Sequence, residues 1–128
     1  MGIYTDIVAI VAPSEAAPGQ LVNVEARVKN LAGYAIFFST SGKFDDAIFY
    51  LYPEYDTVGS GETYSFSGSF TMPNKDVRVN VWSHYWTGEE WLVDDEAYIE
   101  ISLAEVFEGT ISRKEVEYDG SRAGIPAY

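Results

Sequence analysis

Residues 21–30 read Leu-Val-Asn-Val-Glu-Ala-Arg-Val-Lys-Asn, and this stretch decides the fold. Valine or alanine occupies every second position from 22 to 28, and polar or charged residues fill the positions between them. Neighbouring side chains of a strand point to opposite faces, so this alternation predicts a strand with one buried and one wet face. The stretch therefore indicates β-structure with one face turned to water.

The same two-residue period recurs along the chain and is separated by turn residues. The turns include Ala17-Pro18-Gly19 and Gly59-Ser60-Gly61, and Thr87-Gly88-Glu89-Glu90 is predicted to close a hairpin. Strands are predicted near 3–12, 20–30, 33–42, 46–52, 62–72, 76–86 and 91–103. About seven short strands at this spacing predict an all-β fold, an immunoglobulin-like antiparallel two-sheet sandwich over residues 1–103.

The composition fits one folded domain and excludes several kinds of partner. The chain has 128 residues, of which 47% are hydrophobic, enough to bury a core. It carries 20 acidic and 8 basic residues, and this net charge of -12 opposes nucleic acid and anionic membranes. No cysteine is present, which excludes disulfides and thiolate metal sites. Asp6 stands where a signal peptide would be basic, so we expect no signal peptide in this sequence.

Two parts of the sequence resemble CARDB-like, immunoglobulin-like adhesion modules. The first part is Ser14-x-x-Ala17-Pro18-Gly19-x-x-Val22-x-Val24 followed by Val28-x-Asn30. The second part comprises Gly61-Glu62, Phe66, Phe70-Thr71-Met72-Pro73 and Val77-x-Val79. The resemblance covers about residues 5–103 and implies the sandwich fold, similar to structural modules of phage-like particles and of thermophile extracellular proteins. It implies no particular activity.

Residues 104–128 fall outside the sandwich pattern and are predicted to form a C-terminal strand-forming arm. Seven strands already close a sandwich of this size, so the apolar side chains of the arm need another surface. The arm packs either on its own domain, covering a sheet edge, or on a neighbouring copy, and the sequence leaves both alternatives open. The candidate subunit-interface residues of the arm are Phe107, Ile111, Arg113, Lys114, Val116, Tyr118, Arg122, Ile125 and Tyr128.

The stretch Trp82-Ser83-His84-Tyr85-Trp86, followed by Trp91, is the densest aromatic cluster of the sequence. If the valines of 77–81 face the core, Trp82, His84 and Trp86 face the other side of the same strand. Such a row is typical of a subunit interface, of a strand buried on both faces, or of a platform on which sugar rings stack. The residues of this candidate aromatic surface are Trp82, His84, Trp86 and Trp91.

The charged residues and the histidine do not indicate catalysis. Asp94-Asp95-Glu96, with Glu89-Glu90 and Asp45-Asp46, offers oxygen ligands for Ca²⁺, but the spacing is unspecific and solvated surface acids explain it better. His84 is the one histidine, and the neighbouring serine in a strand faces away from it. We therefore expect no catalytic, cofactor-binding or metal site and no enzymatic activity.

Together these features predict a non-enzymatic structural subunit. It self-assembles into a filament, tube or virion-like polymer, as a homo-oligomer or helical polymer, with its arm docking on a neighbouring subunit. The expected location is an extracellular filament or a virion. The alternative is a carbohydrate-binding β-sandwich module that takes a glycan on Trp82, Trp86 and Trp91.

Overall fold

The structure, a computed structural model, describes residues 1–104 of the chain. Ten β-strands make up these residues. In chain order they are β1 (Thr5–Val11), β2 (Glu15–Ala16), β3 (Leu21–Asn30), β4 (Ile36–Phe44), β5 (Ala47–Phe49), β6 (Leu51–Tyr52), β7 (Asp56–Val58), β8 (Thr63–Thr71), β9 (Val77–Trp86) and β10 (Trp91–Leu103).

The strands form two sheets that face each other. One sheet has four strands in the order β1-β3-β8-β6, and the other has the order β2-β10-β9-β4-β5, with β7 added beside β4. The pairs are antiparallel except for the short parallel pair of β2 with β10. This architecture confirms the predicted all-β, immunoglobulin-like two-sheet sandwich. No helix within residues 1–104 has the length and apolar character of a membrane span.

The core lies between the two sheets and follows the alternation of the sequence. The four alternating side chains of β3, from Val22 to Val28, are buried, and the inward valines of β9 at 77, 79 and 81 face them from the other sheet. Phe38 and Phe66 fill the space between the layers and are fully buried. Each buried valine or phenylalanine contributes about 1.5–3 kcal/mol through removal of apolar surface from water.

The segment predicted as a single strand at 46–52 forms two strands in different sheets. β5 pairs with β4, whereas β6 pairs with β8 of the opposite sheet, so the chain changes layer at Tyr50. This crossing brings the Tyr50 backbone against β8 at Gly68, where an added Cβ would lie 2.0 Å from the Tyr50 carbonyl oxygen. A glycine at 68 therefore makes room for the change of sheet.

Gly68→Ala is expected to destabilise the fold by about 1–3 kcal/mol, because a backbone carbonyl must move to admit the methyl group. Urea unfolding followed by circular dichroism measures this difference. Gly33→Ala is the matched control, since a Cβ at Gly33 meets nothing within 4 Å. Equal stability of the two variants would show that the crossing does not depend on glycine.

Several predicted boundaries differ from the observed ones. The strand predicted at 33–42 begins at Ile36 and continues to Phe44, and the short strands β2 and β7 were not predicted. The hairpin at 87–90 is confirmed: the amide of Thr87 donates to the carbonyl of Glu90 over 3.0 Å. The arm predicted at 104–128 lies outside the described residues except for Ala104.

Candidate functional site

The outer face of the six-stranded sheet presents the aromatic row of β9. Trp82, His84 and Trp86 are half-buried on this face, opposite the buried valines of the same strand. The register sets Trp91 of β10 directly across from Trp86, and their ring centroids lie 5.4 Å apart. The hairpin at 87–90 thus places two indoles side by side.

Two further rings extend this pair. Tyr55, from the segment between β6 and β7, lies 6.1 Å from Trp91, and Phe37 of β4 lies 6.0 Å from Tyr55 (centroid distances). Phe37, Tyr55, Trp86 and Trp91 line a depression of about 290 Å³. Four rings from separate parts of the chain therefore make one apolar surface open to water.

A polar depression of about 430 Å³ adjoins this surface. Tyr55 and Trp91 line both depressions and form the wall between them. The polar side is lined by Ser39, Ser41, Glu54 and His84, and the Nε2 atom of His84 lies 2.9 Å from the Ser41 hydroxyl. Burial lowers the pKa of His84, so its ring is neutral at pH 7. We call the two depressions together the aromatic groove.

Only part of this groove was predicted from the sequence. Trp86, Trp91 and His84 line it, whereas Trp82 lies outside it, paired across strands with Ser41 and Glu96. Phe37, Glu54 and Tyr55 were missed. They come from β4 and from the segment before β7, and no spacing within the sequence connects them with 82–91.

A second groove lies at the edge of the sandwich between β5 and β8. We call it the edge groove; it measures about 490 Å³ and is lined by Phe44, Ile48, Phe49, Tyr50, Tyr52 and Gly68–Thr71. Its floor consists of core rings, with Phe44 and Phe70 stacked at a centroid distance of 4.2 Å. No charged side chain lines it.

The strand edges beside the edge groove are open. β6 pairs with β8 at only two positions, Leu51 with Gly68 and Tyr52 with Ser67, so the pairing stops before Phe70 and Thr71. β5 is the last strand of its own sheet on this side. Ile48, Tyr50 and Tyr52 are 61%, 68% and 62% exposed along the rim. An unpaired edge with exposed apolar side chains is a surface to which another strand adds.

The described chain ends at the same end of the sandwich as this open edge. The amide of Ala104 donates to the carbonyl of Ala16 over 2.8 Å. The turn that follows Ala16 leads to Gln20, whose carbonyl accepts from the amide of Met72, directly after β8. Ala104 therefore lies at the end of the sandwich at which β8 finishes, on the side where β2 is the last strand of its sheet, whereas β5 is the last strand on the other side.

Asp94 and Asp95 have a structural role that corrects the sequence interpretation. A β-bulge between Val93 and Asp95 lets both carboxylates turn toward β1, which the alternation of a regular strand would not allow. Asp94 accepts hydrogen bonds from the amides of Ile3, Tyr4 and Thr5 and from the Thr5 hydroxyl. Asp95 accepts one from the amide of Ile7 at 2.9 Å. The interpretation of these two acids as solvated was wrong.

The described residues hold no cluster suited to metal binding, and the serine next to His84 in the sequence is not its partner. Within residues 1–104, no three His, Asp or Glu side chains cluster so as to hold a metal ion. Ser83 faces the interior, where its hydroxyl lies 2.6 Å from that of Thr5, while His84 faces outward. The arm residues Phe107, Ile111, Arg113, Lys114, Val116, Tyr118, Arg122, Ile125 and Tyr128 lie outside the described residues.

Comparison with known proteins identifies the fold. No model of a protein family and no curated protein sequence matches the chain. One similar structure is a CARDB domain from Pyrococcus furiosus, whose crystal structure is described as a complex with di-metal ions. Its TM-score is 0.60 at 16% sequence identity, and the match covers 80% of this chain and 91% of that one. A solution structure of a Pyrococcus furiosus CARDB domain has a TM-score of 0.52 at 16% sequence identity, and the match covers 73% of this chain and 89% of that one.

A PapD-like domain of human CEP192 is similar at a TM-score of 0.52 and 11% identity, over 82% of this chain and 88% of that one. At such identities the similarity concerns the fold alone. The fold of residues 1–104 is an immunoglobulin-like β-sandwich similar to that of CARDB domains.

Proposed function

We propose that the protein is a non-enzymatic structural subunit that polymerises, with residues 105–128 of one copy docking on the edge groove of the next. The observation that carries this proposal is the open edge of β8 above the Phe44–Phe70 floor. Strand addition at such an edge supplies backbone hydrogen bonds, and the groove receives every second side chain of the added strand. The polymer that we propose is an extracellular filament or part of a virion.

The sequence of 105–128 provides side chains suited to this groove. Ile111, Val116 and Tyr118 favour strands, and each apolar side chain that becomes buried contributes about 1.5–3 kcal/mol. The groove lacks charged lining residues, so the apolar contacts meet no desolvation penalty from buried ions. Burial of these side chains, and not ion pairing, is expected to determine the affinity.

The exposed rim favours a neighbouring copy as the place of docking. Ile48 on β5, Tyr52 on β6 and Tyr50 between these strands are exposed along the rim, so apolar surface remains beside the unpaired part of β8 that a single added strand would cover. A contact between one copy's arm and the next copy's edge is head-to-tail, and repetition of such a contact builds an open polymer or a ring. The remaining rim then packs against the body of the neighbour.

Charge is expected to contribute little to this contact. Residues 1–103 hold 15 acidic and 5 basic residues, and residues 104–128 hold 5 acidic residues besides the basic Arg113, Lys114 and Arg122. Exposed ion pairs between the arm and an acidic neighbour contribute about 0–1 kcal/mol each, so they set the register of docking more than its strength. Assembly is accordingly expected to persist at moderate salt.

Gel filtration and negative-stain electron microscopy test the proposal. The full chain is expected to form large regular assemblies, and deletion of 105–128 is expected to leave monomers. Ile48→Asp in the full chain is expected to act like the deletion, because it puts a charge on the rim of the edge groove. Val8→Asp is the matched control: Val8 is also exposed, but it lies on β1, at the edge of the four-stranded sheet away from β6, whereas Ile48 lies on β5 of the other sheet.

Two results would contradict the proposal. Assemblies formed by the deleted chain as readily as by the full chain would show that 105–128 are not the connector. A full chain that elutes as a monomer at all concentrations would show that the arm does not join one copy to the next.

A further inference from the structure

The aromatic groove has an apolar side and a polar side. On its apolar side Tyr55 and Trp91 are 55% and 37% exposed, and they stand beside Phe37 and Trp86. On its polar side hydroxyl, imidazole and carboxylate groups line the adjoining depression. The boundary between the two sides is formed by Tyr55 and Trp91, whose ring centroids lie 6.1 Å apart.

A pyranose ring matches this division. One face of the ring carries C–H groups that stack on aromatic rings, and its edge carries hydroxyls that both donate and accept hydrogen bonds. The neutral imidazole of His84 is hydrogen-bonded through Nε2 to the Ser41 hydroxyl. Its other ring nitrogen, Nδ1, can serve as a hydrogen-bond partner for a sugar hydroxyl. Glu54 and Ser39 add an acceptor and a hydroxyl at the same depression.

The charge of the molecule selects among glycans. Glu54 lines the groove, and residues 1–103 carry three times as many acidic as basic residues. Uronate or sulfate groups would be repelled by this surface, whereas a neutral sugar is indifferent to it.

We propose that the aromatic groove binds a neutral glycan, with rings of two or more sugar units stacked along Tyr55, Trp91 and Trp86. The combined depressions are long enough for more than one unit, since they extend from Phe37 to Ser41 along β4. The site shares no lining residue with the edge groove, so glycan binding adds to the proposed assembly and does not rest on it.

Tryptophan fluorescence titration of the full chain with cellohexaose, laminarihexaose, mannohexaose and xylohexaose tests this inference. At least one of these neutral probes is expected to shift the emission saturably, and trigalacturonate is expected to leave it unchanged. Trp91→Ala and Tyr55→Ala are each expected to weaken binding about tenfold, the loss of one stacking contact. Trp82→Ala is the matched control, an aromatic residue of the same face outside the groove, and should bind like the parent.

Other outcomes overturn the inference. No saturable shift with any of the four neutral probes would do so, as would an equal response to trigalacturonate or equal weakening by Trp82→Ala. If Trp91→Ala abolishes assemblies in negative-stain images while no sugar titrates, the groove is an interface between protein subunits instead.

Discussion

Asn30→Asp is expected to lower the free energy of unfolding by about 3–5 kcal/mol, the largest effect of any single substitution proposed for this chain. The Asn30 side chain is fully buried where β3 ends. Its amide nitrogen donates to the carbonyls of Tyr34 at 2.9 Å and Val58 at 2.8 Å, and its oxygen accepts from the amide of Ala32 at 2.8 Å. An aspartate would direct a carboxylate oxygen at two carbonyl oxygens and leave both unsatisfied in the interior.

Asn23→Asp on the same strand is the matched control, because Asn23 is exposed and its charge would remain in water. Urea unfolding at pH 7 should separate the two variants clearly. The loss in Asn30→Asp should become smaller as the pH falls, since a protonated carboxyl donates one of the two missing hydrogen bonds. If both variants unfold like the parent, the buried amide does not hold β3 to the β7 segment.

The parts of the fold that depend on alternation could be predicted, because period-two burial is a local property. β3 buries every second side chain, as β9 does from Val77 to Ser83, β8 turns Phe66 and Phe70 inward, and the hairpin at Gly88 follows from turn residues alone. The run 46–52 could not be assigned correctly. Apolar side chains at 47–52 fit either sheet, and the change of layer depends on Gly68, far along the chain.

Only the part of the candidate site that lies on a single hairpin could be predicted from the sequence. Trp86 and Trp91 are joined by the hairpin, so their neighbourhood could be inferred. Tyr55 reaches the same place through tertiary packing of β7 on β4, which no spacing in the sequence reveals. The roles of Asp94 and Asp95 were not predicted because a bulge adds one residue to β10. Side chains after the bulge therefore point to the opposite face from the one that regular alternation predicts.

Asp94→Ala is expected to cost about 3 kcal/mol, because it removes one carboxylate from four hydrogen bonds that fix the start of β1. The carboxylate connects β10 of one sheet to β1 of the other, so its loss loosens this side of the sandwich. Glu96→Ala is the matched control two residues along β10, where the carboxylate is exposed on the outer face. Thermal unfolding should show Tm lowered by roughly 10 °C in Asp94→Ala alone.

The contribution of the Asp94 carboxylate to the free energy of unfolding is expected to depend on pH. Partial burial acts to raise the pKa of Asp94, but the Thr5 hydroxyl and the amides of Ile3, Tyr4 and Thr5 together outweigh it and hold the pKa below its ordinary value of 3.8. A depressed folded-state pKa means that the carboxylate stabilises the fold fully above pH 3.8 and that this contribution disappears as the pH falls through the folded-state pKa. Unfolding free energies of the parent and of Asp94→Asn should therefore differ by a constant amount from pH 7 to pH 5 and converge in stronger acid. A difference that stays constant down to pH 2 would mean that the charge of Asp94 is not what holds β1 in place.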